Sequence, residues 1–276
     1  MSPRTYVDVH ILQTVPPSNL NRDDAGTPKQ AVYGGVRRAR VSSQAWKRAT
    51  RTAFADQLHL PAHERGVRTK RISALLADRL GVRTGLDTAQ SARLSTYLLK
   101  DLGITPAKPR TSKAKSTKPA DDTSTTQTAA ETSYLLFFGN QQIDTIVDLV
   151  AADATTLAAL TDDALQAAVD RLPVREQLQK GHPIDVALFG RMVADLSMLN
   201  VDAAAQVAHA LSTHAVDVEF DYFTAVDDAK SRDEDAGAAM IGTVEFTSAT
   251  LYRYATVGVK SNPASIRYAT KECRRS

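Results

Sequence analysis

GGVRRARVSSQAWKRATR, residues 34–51, decides how this chain is read. It opens on a glycine pair, sets Arg37, Arg38 and Arg40 before Ser42-Ser43-Gln44, and places Lys47, Arg48 and Arg51 after them. From Lys29 to Ala55 there are seven basic residues and no acidic one. Such a run cannot be neutralised locally, so its counter-charge comes from elsewhere in the fold, from solvent ions or from a partner. Gly34-Gly35 permits backbone conformations barred to other residues and lets a ligand approach. Ser42 or Ser43 suits a helix N-cap, because a hydroxyl there accepts a free backbone N–H; the helix it starts runs to about Leu58. Ala45, Trp46, Ala49, Ala53 and Leu58 supply its apolar side, and Lys47 and Arg51, four apart, share a face. A helix N-terminus beside arginines is an anion site, and closely spaced arginines with hydroxyl and amide neighbours suit a phosphate backbone. Composition alone equally allows a solvated face whose arginines pair with distant acids.

Working outward, the 276 residues hold one large domain or two modest ones, and 43% hydrophobic with 24% charged residues is a globular composition. The formal net charge is only +3, so the basic character is regional. No apolar run is long enough to span a membrane. The N-terminus carries Asp8 and His10 inside its apolar part and alternates like a strand rather than a signal peptide. The single cysteine, Cys273, excludes an intrachain disulfide and a cysteine-based zinc site. A cytoplasmic protein without a cofactor is expected.

Residues 6–15 alternate as an edge-to-core strand. Residues 16–33 read as a long polar loop, and residues 69–80 and 87–102 as helices. Residues 105–133 contain no large apolar side chain and read as a disordered insertion. Helices are expected again over 140–152 and 155–172, a strand over 184–192, and a short alanine-rich helix over 202–211. Residues 215–222 alternate cleanly, residues 227–239 are polar, and 244–259 regain strand character. That is the pattern of a long hairpin. The whole suggests an α+β sheet domain interrupted by helices.

Five stretches, in this order, resemble the CasC family, the repeated backbone subunit of the type I-E CRISPR Cascade complex. They are SNLNRDD (18–24), YGGVRRARVSSQAWKRATR (33–51), VALFGRM (186–192), AHALSTHAVDVEFDYFTAVDD (208–228) and GTVEFTSATLYRYATV (242–257). The resemblance implies a hand-shaped fold: a ferredoxin-like, RNA-recognition-type palm sheet with a helical fingers insertion and a β-hairpin thumb. On this chain the palm takes 1–60, 183–214 and 244–259, the fingers 61–182 with the linker 105–133 inside them, and the thumb 215–243. Residues 260–276 find no counterpart and are expected to be an aberrant tail after a truncation, leaving apolar faces of 244–259 uncovered. The implied partners are CRISPR RNA, further copies of the chain in a filament, other Cascade subunits and, through the guide, target DNA; no membrane and no catalytic activity are implied.

Residue by residue, the resemblance implies RNA contacts for Lys29, Arg38, Ser42, Gln44, Lys47 and Arg51, and Asn21, Arg22, Arg37, Arg40, Ser43 and Arg48, beside them in the same stretches, are expected to join them. Arg191 is expected to contact RNA as well, and Met192, which follows it, matches an apolar side chain wedged beside a flipped nucleotide, where ordinary core packing is the competing role. Phe223, Thr224 and Val226 match the thumb residues that interrupt the base stack, where an aromatic ring can replace a base. Two enzyme-like readings compete. Asp23 and Asp24 could hold magnesium for RNA cleavage, as in type III backbone subunits, and His209, His214 and Asp217 suggest a weak metal set. A monomeric RNA-binding module or a non-functional truncated copy would also fit these residues.

Overall fold

The computed structural model describes residues 5–104, 131–193, 196–224 and 241–259. The chain divides into two compact units. One is Met1–Gln57 with Ala204–Ser276; the other is Leu58–Ala203.

The first unit is an antiparallel sheet with one helix. Strand β1 (Thr5–Ser18) pairs along β9 (Ile241–Val259) from Thr5↔Val259 to Val15↔Ala249, with a register break before Ser18↔Thr247. β2 (Gln30–Tyr33) and β3 (Val36–Val41) form a hairpin closed by Gly34 and Gly35, whose φ values of 65° and 78° require the left-handed region that suits a two-residue turn between twisted strands. β6 (Ala205–Val207) and β7 (Ala210–Ser212) both pair with β9, and β7 also pairs with β3, so the order is β1-β9-β7-β3-β2. β8 (Glu219–Thr224) pairs with the start of β9. Helix α1 (Ser43–Asp56) follows β3 directly, and Ala45 and Trp46 pack on a core of Ala39, Val41, Ala210, Val216, Ala249 and Leu251.

The second unit is helical. α2 (Ile72–Thr84), α3 (Thr88–Asp101), α4 (Asn140–Ala151), α5 (Ala154–Ala159), α6 (Asp162–Val169), α7 (Val174–Gln179) and α8 (Ile184–Phe189) join a two-stranded ribbon of β4 (Gly66–Thr69) and β5 (Leu136–Gly139). Its core includes Leu76, Leu80, Leu94, Leu98, Ile143, Val150, Leu165 and Leu178. Asp87 starts α3 with a full capping box to Gln90, which is why that boundary is sharp.

The α+β architecture expected from sequence stands, and four local expectations change. Residues 184–192 are not a strand: Asp185 accepts N–H bonds from Gly66 and Val186 at the first turn of α8, and the chain turns away at Gly190. Gly190 has φ 75°, and a Cβ there would meet the Val201 carbonyl, so this bend needs glycine. Residues 202–211 form β6 and β7 instead of a helix. Pairing with β9 overrides alanine's helical preference, and the buried Ala205 and Ala210 are small enough for close packing. The run 155–172 breaks between α5 and α6, where Leu160 is extended and Thr161 is the N-cap. The loop expected over 16–33 is shorter, since β1 runs on to Ser18 and β2 occupies its end. Residues 183–203, assigned to the palm from sequence, fall within the helical unit. Residues 105–130 of the expected linker and the tail 260–276 lie outside the described residues, whereas Thr132 is buried and donates to the Lys70 carbonyl.

Candidate nucleic-acid interface

The start of α1 is built by three segments. Ser42 is buried and its Oγ accepts the Ala45 N–H at 3.3 Å, which is the N-cap expected from sequence. The Ser42 N–H donates to Asn21 Oδ1 at 2.9 Å, and the Lys29 N–H donates to the Asn21 carbonyl at 2.8 Å. The Arg40 N–H in turn donates to the Lys29 carbonyl at 2.8 Å. These bonds fasten the 19–29 segment to the helix, so Arg22 and Lys29 come beside the α1 N-terminus. The Ser43 N–H donates to His209 Nδ1 at 3.1 Å. Asn21 Oδ1 and Ser42 Oγ therefore serve positioning, and the backbone of Ser43 does the same.

Exposed at this end are Arg22, Gln44 and Arg48, with Lys29, Lys47 and Arg51 half-buried. Among the described residues Arg22, Lys29, Arg37, Arg38, Arg40, Lys47 and Arg48 form no ion pair. The basic block does not make one surface, however. Along β3 the buried Ala39 and Val41 turn toward α1, so Arg37 shares their side while Arg38 and Arg40 stand on the opposite face of the sheet. Arg38 is tied there by Nε to the Tyr33 carbonyl and Nη1 to the Ser212 carbonyl, and Arg40 by Nε to the Gln30 carbonyl.

Two residues of this unit escaped sequence reading. Arg253 stacks 3.7 Å over the Trp46 ring and donates to Gln13 Oε1, locking α1 to β9 and β1; partial burial lowers its pKa. His209 holds the α1 N-terminus, as above. Neither signal is local: their partners lie far away along the chain. The metal reading of the histidines finds ring nitrogens committed elsewhere, since His214 Nδ1 donates to the Ala215 carbonyl and its Nε2 accepts the Thr250 N–H. Among the described residues no group of three His, Cys, Asp or Glu side chains is placed to hold a metal. Asp23 Oδ1 accepts the N–H groups of Ala25 and Thr27, which is turn chemistry.

In the helical unit Arg191 is corrected from an RNA contact to an interior anchor. It is buried, donates to the carbonyls of Leu178 and Leu199, and lies over the Phe138 ring; burial pushes its pKa down to about 10. Its neighbour Met192 is 83% exposed, which rules out core packing for that side chain. Arg191 exchanges backbone bonds with Val201, and the Val193 N–H donates to Asn200 Oδ1, so Met192 projects from a chain held on both sides. On the β8–β9 hairpin Phe220, Tyr222 and Phe223 are exposed, and the Phe223 ring lies across Gly242, where a Cβ would not fit. Thr224 ends β8, and Val226 lies outside the described residues.

Comparison with known proteins places this geometry. The chain resembles two solved chains of CRISPR assemblies. One, from a "CRISPR RNA-guided surveillance complex, pre-nicking", shares 34% identity with TM-score 0.71, over 92% of this chain and 64% of that one. The other, from a "CRISPR RNA-guided surveillance complex", shares 32% identity with TM-score 0.61, over 92% and 63%. This chain thus spans a little under two thirds of the length of either. No curated protein matches. A family model described as CT1975-like protein (Cas_CT1975) matches residues 7–275, including the stretch 260–275 that found no counterpart from sequence, and the chain belongs to that family.

Proposed function

We propose that this chain is a non-catalytic, CRISPR RNA-binding backbone subunit of a Cascade-type surveillance complex, of the type I-E kind. The observation that carries the reading is the α1 end of the sheet unit, where a capped helix and a fastened loop hold basic side chains with no carboxylate partner among the described residues. Arg22, Lys29, Arg37, Lys47 and Arg48 supply these cationic groups, Arg51 adds a further guanidinium one turn on, and Gln44 adds an amide. Such groups grip phosphates and sugars while leaving base edges free for pairing, which a guide-carrying protein requires. Asn21 and Ser42 position this grip; Arg38 and Arg40 stand on the other face and take no part in it.

Met192, projecting from its anchored turn, and Phe223, presented on the hairpin over Gly242, are the apolar groups that would separate bases at intervals along the guide. Copies of the chain would follow one another along a single RNA. Cleavage by Asp23 and Asp24 is not favoured, because the Asp23 carboxylate oxygen already serves two backbone N–H groups of its own turn.

Native mass spectrometry with single-stranded RNAs of increasing length tests the reading. A ladder that gains one subunit for each fixed increment of RNA is expected. One subunit per RNA at every length would replace the filament with a simple binding module. Periodic cuts in magnesium, abolished by Asp24→Ala, would overturn the non-enzyme assignment.

A further inference from the structure

The face of the sheet turned away from α1 carries a second constellation. The register puts Tyr6, Asp8, His10, Leu12 and Thr14 of β1 beside Thr256, Tyr254, Tyr252 and Thr250 of β9 on that side. Leu211 of β7 pairs with Tyr252, and Arg40 of β3 pairs with Leu211. The rings are organised: His10 Nδ1 is 2.7 Å from the Tyr252 hydroxyl, and the His10 ring stacks near Tyr252 and packs 4.9 Å from Tyr254. The surface is open, with Leu12 70%, Tyr6 58% and Tyr252 42% exposed. At the far side Arg38 lies over the Tyr33 ring and has no acceptor for its Nη2 among the described residues. From β1 to β3 is three strand spacings, roughly 15 Å.

Ring faces beside fixed guanidinium groups are the two components of sequence-tolerant single-strand binding, in which bases stack on rings while arginines track the backbone. We propose that this open face is a second surface for single-stranded nucleic acid, with bases stacked on Tyr252, Tyr254 and His10 and phosphates held by Arg38 and Arg40. The polarity follows from charge. Asp8, which accepts the Tyr254 hydroxyl, makes the β1 edge anionic, so phosphates run on the β3 side. The hydroxyls of Thr14 and Thr250, bonded to each other, interrupt the apolar surface and make it a poorer protein-docking face. This goes beyond the α1 grip and uses none of its residues.

Ultraviolet cross-linking of 5-bromouridine single strands to the full chain, with peptides mapped by mass spectrometry, tests it. Label is expected on the peptide holding Tyr252 and Tyr254 as well as on the α1 peptide. Tyr252→Ser with His10→Ala should cut the first label about tenfold or more while α1 labelling stays within twofold; Tyr252→Phe, which keeps the ring, should retain both. Label on α1 alone overturns the proposal and leaves the grip intact, whereas label on the Tyr252 peptide alone sinks the grip instead. Equal loss in the Phe and Ser variants overturns base stacking. A change in oligomeric state with unchanged labelling makes the face a protein interface and also overturns the proposal. Parallel bromodeoxyuridine strands separate a DNA from an RNA ligand.

Discussion

Several arginines of the helical unit are paired with carboxylates, whereas Arg22, Arg37 and Arg48 of the sheet unit are in no ion pair among the described residues. In the helical unit three are neutralised across helix pairs: Arg79 of α2 binds Asp144 of α4 at 2.6 Å, Arg83 binds Asp148 at 2.9 Å, and Arg93 of α3 binds Asp162 at 2.7 Å. The hydrogen bond from Arg93 holds the Asp162 carboxyl below its usual pKa. In the sheet unit Arg22, Lys29, Arg37, Lys47 and Arg48 find no carboxylate among the described residues. Stability does not explain the difference, because exposed ion pairs contribute little. On the proposed function, unpaired charges concentrated on one surface would sustain a field that draws in a polyanion. Arg68, Lys70 and Arg71, exposed around the start of α2 and in no ion pair among the described residues, are unpaired cations of the helical unit, as are Arg171 and Lys180, and serve as its internal control.

The comparison can be broken most decisively by salt. With about six phosphates neutralised per subunit, RNA affinity should fall roughly a thousandfold between 50 and 200 mM salt, measured by fluorescence anisotropy; a flat response would mean the unpaired charges face no phosphates. Next in size, Lys47→Glu with Arg48→Glu should weaken every RNA sequence alike, by roughly a hundredfold at moderate salt. Arg79→Ala with Arg83→Ala should change affinity by less than about twofold, since those groups are already paired. Should Arg68→Ala with Arg71→Ala match the α1 reversal, exposure without pairing would matter more than the α1 setting.

Smaller effects fall on folding. Ser42→Ala should cost about 1 kcal/mol in denaturant unfolding, because Ser42 accepts the Ala45 N–H. Thr161→Ala at the start of α6, where no side-chain cap bond forms, should cost a few tenths at most. The smallest effect is one of pH. Burial first, then the Arg191 charge, lowers the pKa of His182 below 6.5, and Gln142 Nε2 lies 3.2 Å from its Nδ1. Below pH 6.5 the unfolded chain takes up this proton before the folded one, so stability is full above that pH and falls as acid approaches the folded pKa. Thermal melts from about pH 7.5 to 5.5 should show this decline, and His182→Gln should flatten it.

Much of the candidate interface's local structure was legible in residues 34–51, since its elements are local. An N-cap needs a hydroxyl three residues from its donor, a charge run needs only its own composition, and a glycine pair marks its own turn. What could not be read there was direction. That Arg37 faces the α1 side while Arg38 and Arg40 face away is set by which β3 residues Trp46 covers, and that Arg191 lies inside while Met192 lies outside is set by carbonyls of Leu178 and Leu199. Residues 202–211 read as helix because alanine prefers it, and become strands because β9 offers them backbone partners. The open aromatic face has no sequence signature, its rings coming from positions 10, 252 and 254, some 240 residues apart. The sequence by itself thus determined the family resemblance, the capped basic helix and the α+β composition, all carried by neighbours along the chain. Only the tertiary structure decided which charges are spent and which remain, because pairing depends on groups that meet only when each unit folds.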